Sequence, residues 1–288
     1  MSYELPPTYI SPVKRIVAIG DLHGDFKATV LALRLARVID KRNHWIGGKT
    51  VVIQLGDQID RGGRNTTYRD ENSELKIMNL FDNLANEARR VGGACFSLMG
   101  NHELMNVQGN FQCVSPKGFE QFGGSRQRRR FFKPGNPMAI RMAKTRNAIM
   151  RIGDFVFVHG GISPRLAAKY QLDEINQIMR EYLIGKRGDN DRAVAELFND
   201  EHGILWCRRY SDTRTDCAGL YKTLGILGAK NMVVAHTPQD NGINCKCNTK
   251  VWRIDTAMSE AFGRRNGITD RIQVLEILDN GQKMNILK

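Results

Sequence analysis

The sequence predicts an α/β fold, with helices on the faces of a sheet and a second sheet formed late in the chain. Three observations predict it. Short apolar runs alternate with amphipathic stretches of helical period through the first hundred residues. Apolar runs at 13–19, 50–55 and 94–99 end in glycine-rich turns that carry Asp, Asn or His, the arrangement that projects side chains into the crevice at a sheet edge. Further strand-like runs come late, at 231–235, 251–255 and 271–278, which implies the second sheet.

The elements follow in order. Val13 to Ile19 reads as a strand that delivers Asp21 and His23. Residues 25 to 39 read as a helix, with Asp25 as its N-cap, Phe26, Val30 and Leu33 on the apolar face, and Val38-Ile39 at its end. Thr50 to Leu55 is a second strand, delivering Asp57. Residues 73 to 90 form an amphipathic helix with Leu75, Met78, Phe81, Leu84, Ala85 and Ala88 on one face. Ala94 to Met99 is a third strand, delivering Asn101 and His102. The stretch 104–144 breaks the rhythm: rich in Gly, Arg and Phe and without a clean period, it reads as an inserted cap or lid beside the site. Residues 148–152 and 155–158 read as a hairpin turning at Gly153-Asp154 and ending at His159. Helical segments fill 164–199.

At 288 residues and 41% hydrophobic, the chain can bury a sizeable core. No Pro/Ser-rich linker, low-complexity stretch or repeat interrupts it. One domain over 13–288 is therefore expected, preceded by an extended arm over 1–12 marked by Pro6, Pro7 and Pro12. No apolar h-region opens the chain and no apolar run is long enough to span a bilayer, so a soluble cytoplasmic protein is the expectation. The six cysteines are then expected as reduced thiols. A zinc site from Cys245 and Cys247 with Cys207 and Cys217 would match no common spacing. The net charge of +13 favours acidic partners. Its densest cluster, Arg126-Gln127-Arg128-Arg129-Arg130 closing with Lys133, reads either as a solvated loop or as a device that draws phosphate-bearing substrates. Nucleic acid is a lesser option, because the fold-level context of a nucleic-acid reader is missing.

Chemistry is concentrated in Gly20-Asp21-Leu22-His23-Gly24, Gly56-Asp57-Gln58-Ile59-Asp60-Arg61-Gly62, Gly100-Asn101-His102-Glu103 and His159-Gly160-Gly161, followed by a lone His236. Phosphate esters repel nucleophiles through their anionic oxygens. Two divalent ions about 3.5–4 Å apart overcome this by activating a water and neutralising the oxygens. Asp57 is the natural carboxylate to bridge them. Asp21 and His23, two apart on a turn, can hold one ion; Asn101, His159 and His236 can hold the other. This oxygen and nitrogen set suits manganese foremost, with iron, zinc or magnesium as alternatives. Each run alone is weak, and their joint order at strand ends is what carries the reading. His102 is placed to protonate a leaving oxygen, with Asp60 holding its imidazole. Arg61 offers a planar fork to a phosphate.

With these runs in place, the chain resembles the phosphoprotein phosphatase family of calcineurin-like metallophosphoesterases. That family carries GDxHG, GDxxDRG, GNHE and HGG in this order, and all stand here unbroken between about residues 14 and 263. Within it the chain is most similar to the bacterial-type Shewanella-like phosphatases, through the continuation Leu104-Met105-Asn106-Val107, Leu205-Trp206 and Ile254-Asp255-Thr256-Ala257-Met258-Ser259. The resemblance implies a two-sheet β-sandwich flanked by helices with the dimetal centre at the strand ends. It implies Asp21, His23 and Asp57 on one metal, and Asp57, Asn101, His159 and His236 on the other. It also implies His102 with Asp60 as the acid pair, Arg61 on the substrate phosphate, and a second phosphate-binding arginine at Arg208 or Arg209, with Arg208 preferred. Met99 stands where eukaryotic Ser/Thr members usually have arginine, and Ala235 where glycine is common; neither change removes a ligand.

The expected activity is metal-dependent hydrolysis of a phosphomonoester, with a serine, threonine or tyrosine phosphoprotein as substrate. One alternative keeps the site and changes the substrate to a dinucleoside polyphosphate or other small phosphoester. Another is a catalytically silent module that binds phosphate or nucleic acid.

Overall fold

The computed structural model describes residues 5–62, 70–263 and 271–288. Two six-stranded sheets stack face to face. Among the described residues the strands are β1 (Tyr9–Ile10), β2 (Arg15–Ile19), β3 (Val51–Gln54), β4 (Ala94–Leu98), β5 (Arg146–Asn147) and β6 (Ile149–Ile152). They continue as β7 (Phe155–Val158), β8 (Asn231–Val234), β9 (Asn244–Lys246), β10 (Val251–Arg253), β11 (Val274–Leu278) and β12 (Lys283–Leu287). One sheet runs β12-β11-β2-β3-β4-β5 and the other β1-β6-β7-β8-β10-β9. In the first, β2, β3, β4 and β5 are mutually parallel; in the second, β7, β8 and β10 are. Their carboxyl ends therefore open together.

Period-2 alternation splits the apolar residues between layers. Ile16, Ala18, Val51 and Ile53 meet Phe155, Phe157, Val233 and Ile254 between the sheets. Val17, Ile19 and Val52 point the other way, under α1 (Phe26–Leu35) and α2 (Glu74–Arg90). The outer face of the second sheet is covered by α6 (Pro137–Thr145), α7 (Pro164–Lys169), α8 (Leu172–Leu183) and α10 (Cys217–Leu227). The short α9 (Arg192–Val194) leads into a π turn over Ala195–Asn199. No helix among the described residues is long and apolar enough to cross a membrane.

The predicted strands and the hairpin are present; β7 keeps its predicted bounds and the others are shortened by a residue or more. Within the predicted arm, Tyr9 and Ile10 pair in parallel with Arg151 and Ile152; residues 1–4 lie outside the described residues. The helix predicted to run to residue 39 stops at Leu35. Arg37 turns into the left-handed region (φ 54°), its N–H bonds Arg34 O, and Val38 N–H returns to Leu33 O. This is a Schellman stop made without glycine, so sequence gave no warning of it.

The stretch 104–144 is mostly helical: α3 (Asn101–Val107), α4 (Pro116–Glu120), α5 (Ser125–Phe132) and α6. Each helix is too short to display a repeating stripe. The solvated-loop reading of the arginine cluster is corrected accordingly. The cluster forms α5, and Arg128 and Phe132, one turn apart, face the interior while Arg126, Arg129 and Arg130 face solvent. The expectation of six reduced thiols is also corrected. Cys217, at the start of α10, is bridged to Cys247 in the turn between β9 and β10, while Cys95, Cys207 and Cys245 are free thiols. Thirty residues separate the pair in sequence, and only the tertiary fold joins them.

Candidate active site

The parallel strands deliver the site. Asp21 and His23 follow β2, Asp57 follows β3, Asn101 and His102 follow β4, His159 follows β7 and His236 follows β8. All are buried. Asp57 is shared by two groups of converging ligand atoms, His23–Asp57–His102 and Asp57–His159–His236.

The histidine geometry is informative about what belongs there. His159 Nδ1 lies 2.7 Å from the Leu55 carbonyl oxygen, so Nδ1 carries a proton and Nε2 is the ring nitrogen left for a metal. Nε2 faces Asn101 Oδ1 at 2.9 Å and Asp57 Oδ2 at 3.3 Å, both acceptors. His23 repeats the pattern. Its Nδ1 is 3.2 Å from the Asp60 carbonyl oxygen, and its Nε2 faces Asp57 Oδ2 at 3.8 Å and Asp21 Oδ2 at 3.9 Å. A divalent ion in place of a proton on Nε2 would satisfy all of these oxygens at once, and carbonyl partners at the far nitrogen orient metal-binding imidazoles in this way. Asp21 Oδ1 and His236 Nε2 are buried without hydrogen-bond partners among the described residues. The donor set therefore fits hard or borderline divalent ions.

The electrostatics divide the two histidines of the second group: burial acts to lower His159, but the Asp57 carboxylate outweighs it and raises that imidazole, whereas His236 is pushed down. Burial, then the charges of Asp255 and Asp57, push the Asp21 carboxyl well above the usual range. Burial also acts to raise Asp57, but the imidazoles of His159, His102 and His23 outweigh it and hold Asp57 well below that range. Burial and the neighbouring His159 push His236 down, favouring the neutral ring that can bind a metal.

The turns that carry these groups are strained. His23, Asp57, Asp60 and His236 all have left-handed backbones, with φ of 41°, 52°, 65° and 63°. Such conformations persist only where the surroundings over-determine them. Here Leu22 and His23 donate their N–H groups to Asp57 O, and Glu74 Oε1 accepts Asp60 N–H. The glycines are steric requirements: a Cβ on Gly100 would sit 2.2 Å from Asp57 Oδ1.

His102 Nδ1 contacts Asp60 Oδ2 at 3.0 Å, and its Nε2 faces Asp57 Oδ2 at 3.8 Å. The ring thus reaches from the carboxylate behind it to the space between the ligand groups. Arg61 is buried, with Nη1 3.1 Å from Asp25 Oδ2 and Nη2 3.8 Å from Glu260 Oε2. Arg208 Nη1 donates to Thr237 Oγ1 and to the carbonyl oxygen of His236, whereas Arg209 turns away to Asp216. A cleft of about 590 Å³ adjoins the site, lined by Trp206, Arg208, Arg209, Arg214, Asp216 and His236, so both arginines border it. A larger cavity of about 860 Å³, among Pro6, Phe96, Ile140 and Arg141, contains none of the predicted site residues.

Several site groups were missed by sequence reasoning. Asp255, after β10, is buried beside Asp21; its position after an apolar strand run was the available signal. Glu103 is fully buried and accepts the backbone N–H groups of Asp57, Gln58 and Gly100. Asn106 Nδ2 donates to both Asp60 oxygens at 2.9 Å. Glu74 and Arg128 complete that network from distant segments, and nothing in their spacing foretells it.

The family signature of calcineurin-like phosphoesterases matches residues 14–253. "Shewanella-like protein phosphatase 2" of Arabidopsis thaliana is 32% identical, over 94% of this chain and 78% of its own. An uncharacterized protein, R398, of Acanthamoeba polyphaga mimivirus is 35% identical over 70% of this chain and 96% of its own. Among solved structures, a cold-active protein-tyrosine phosphatase of a psychrophilic Shewanella species superposes with a TM-score of 0.76 at 23% identity, covering 99% of this chain and 84% of that one. A calcineurin-like fold, matched motifs and this cluster of ligands make the chain a hydrolytic metallophosphatase, and it belongs to the calcineurin-like metallophosphoesterases, among the Shewanella-like protein phosphatases.

Proposed function

We propose that this metallophosphatase removes phosphate from phosphorylated serine, threonine or tyrosine side chains of proteins, using a pair of manganese ions. The observation that supports the reading is the convergence of carboxylate, amide and imidazole ligand atoms around Asp57, with Asp60 directly behind His102. Asp21, His23 and Asp57 would hold one ion, and Asp57, Asn101, His159 and His236 the other. When bound, the ions would supply an activated water and neutralise the phosphate oxygens.

The chain's own residues do the rest. His102 Nε2, facing the ligand groups, would hand a proton to the leaving oxygen. Asp60 Oδ2 fixes the ring through Nδ1. Arg208, turned toward His236 at the mouth of the cleft, would hold a phosphate oxygen; its orientation favours it over Arg209. Arg61 would be the second phosphate ligand, reached by exchanging its contacts with Asp25 and Glu260.

The test is phosphate release from matched phosphoserine and phosphotyrosine peptides by chelator-stripped protein, with and without added manganese. Manganese-dependent release from either peptide is expected, and the ratio assigns the residue class. Turnover of diadenosine tetraphosphate without release from either peptide would replace the proposed substrate with a small phosphoester.

A further inference from the structure

The arginine-rich run read from sequence as a surface feature contains one side chain that is wholly interior. Arg128 is 0% exposed. Its Nε donates to Asn106 Oδ1 at 2.7 Å, Nη1 to Glu74 Oε2 at 2.6 Å and to the Gly118 carbonyl oxygen at 2.7 Å, and Nη2 to Asp60 Oδ1 at 3.2 Å. The rings of Phe122 and Phe132 each lie 5.0 Å from its guanidinium carbon. A buried guanidinium is retained only where its fork is matched, and here the fork is matched by two carboxylates, an amide and a carbonyl.

We propose that Arg128 is a positioning residue for the reaction, acting through Asp60 on His102; this rests on the reading of His102 as the acid. The geometry is directional. By occupying Asn106 Oδ1, Arg128 decides which way that amide faces. The Asn106 Nδ2 group is thereby aimed at both Asp60 oxygens and at the carbonyl oxygen of His102. Arg128 itself takes Asp60 Oδ1, so Oδ2 is the oxygen turned to His102 Nδ1. Glu74 closes the ring of contacts, holding Arg128 with one oxygen and the Asp60 backbone N–H with the other. The imidazole is therefore oriented from a helix inside the 104–144 insertion, on a different segment from every ligand. Removing an outer partner of this kind typically costs ~10–100-fold in activity.

The experiment compares R128K, N106A and H102N on a nitrophenyl phosphate and on a phosphoserine peptide, whose alkoxide leaving group needs the proton far more. R128K keeps a cation but loses the fork; N106A keeps Arg128 and cuts the amide link, so the test survives if one variant does not fold. Manganese content and melting temperature are measured alongside. The expected result is a ~10-fold or larger fall in kcat on the peptide, a change under ~3-fold on the nitrophenyl ester, and full manganese content. In the H102N background either substitution should add little, because the group it positions is gone. Equal losses on both substrates, or losses that multiply with H102N, would reduce Arg128 to a structural role. If H102N itself shows no leaving-group dependence, the acid reading fails instead, and the two failures are told apart.

Discussion

Glu103 Oε2 accepts the backbone N–H of Asp57 at 2.8 Å, and its Oε1 accepts that of Gln58 at the same distance. Gly100 N–H bonds the same Oε2. One buried carboxylate thus ties the turn after β3 to the turn after β4 and holds Asp57 in its left-handed conformation. We expect Glu103→Gln to destabilise the metal-free protein by roughly 1.5–3 kcal/mol, the range for bonds to a charged group, because an amide NH₂ then faces backbone donors. Urea unfolding in chelator measures it. An unchanged midpoint would show that the carboxylate does not hold this turn.

Asp57 spends Oδ1 on the N–H of His102 and leaves Oδ2 facing His23, His102 and His159. That single oxygen lies where both ligand groups meet. Asp57→Asn should fold, bind fewer than two manganese ions, and lose detectable turnover. Metal analysis after gel filtration and a phosphate-release assay read the two effects. Near-normal turnover in a fully loaded variant would sink the bridging role.

Much of this was legible in the sequence because each proposed ligand lies at or just after the end of an apolar run. Asp21, Asp57 and Asn101 are local consequences of where β2, β3 and β4 end. What was illegible is tertiary. Arg128 looked like one of several surface arginines, since its burial depends on Asp60, Glu74 and Asn106 arriving from other segments. Asp255 resembled an ordinary strand terminus until β10 paired with β8 and brought it against Asp21. The Schellman stop at Arg37 replaced the expected glycine with a residue that gives no signal.

The Cys217–Cys247 bridge closes a loop that carries β8, His236 and the β9 edge. Loop-closure entropy for a separation of 30 residues predicts a contribution of roughly 3–4 kcal/mol on the chain-entropy account. Thiol titration of the denatured, unreduced protein should leave Cys217 and Cys247 unreacted. Reduction should lower the urea midpoint. Titration of all the cysteines without reductant would show that the bridge does not form in the isolated protein.

Arg208 and Arg209 are neighbours with opposite commitments, one to Thr237 and His236 and the other to Asp216. Arg208→Ala should raise KM for a phosphopeptide and weaken inhibition by inorganic phosphate by about 10-fold or more, as loss of a charge-assisted contact worth ~1.5–3 kcal/mol requires. Arg209→Ala should leave phosphate inhibition within about 2-fold, since an exposed ion pair contributes little. Reversed effects would exchange the two assignments.

His102 presents Nε2 to the ligand space while Nδ1 is held by Asp60. A proton donor in that position matters in proportion to how poor the leaving group is. His102→Asn keeps a polar side chain but cannot carry a proton at the Nε2 position. On a phosphoserine peptide its kcat should fall ~10²–10⁴-fold, the usual share of general acid catalysis. On a nitrophenyl ester, whose leaving oxygen departs as a stable anion, the loss should be far smaller, with manganese binding retained. The ratio of the two losses is the decisive number, because a disordered metal site would slow both substrates alike. A ratio near one would leave His102 as a wall of the site and move the proton to another donor.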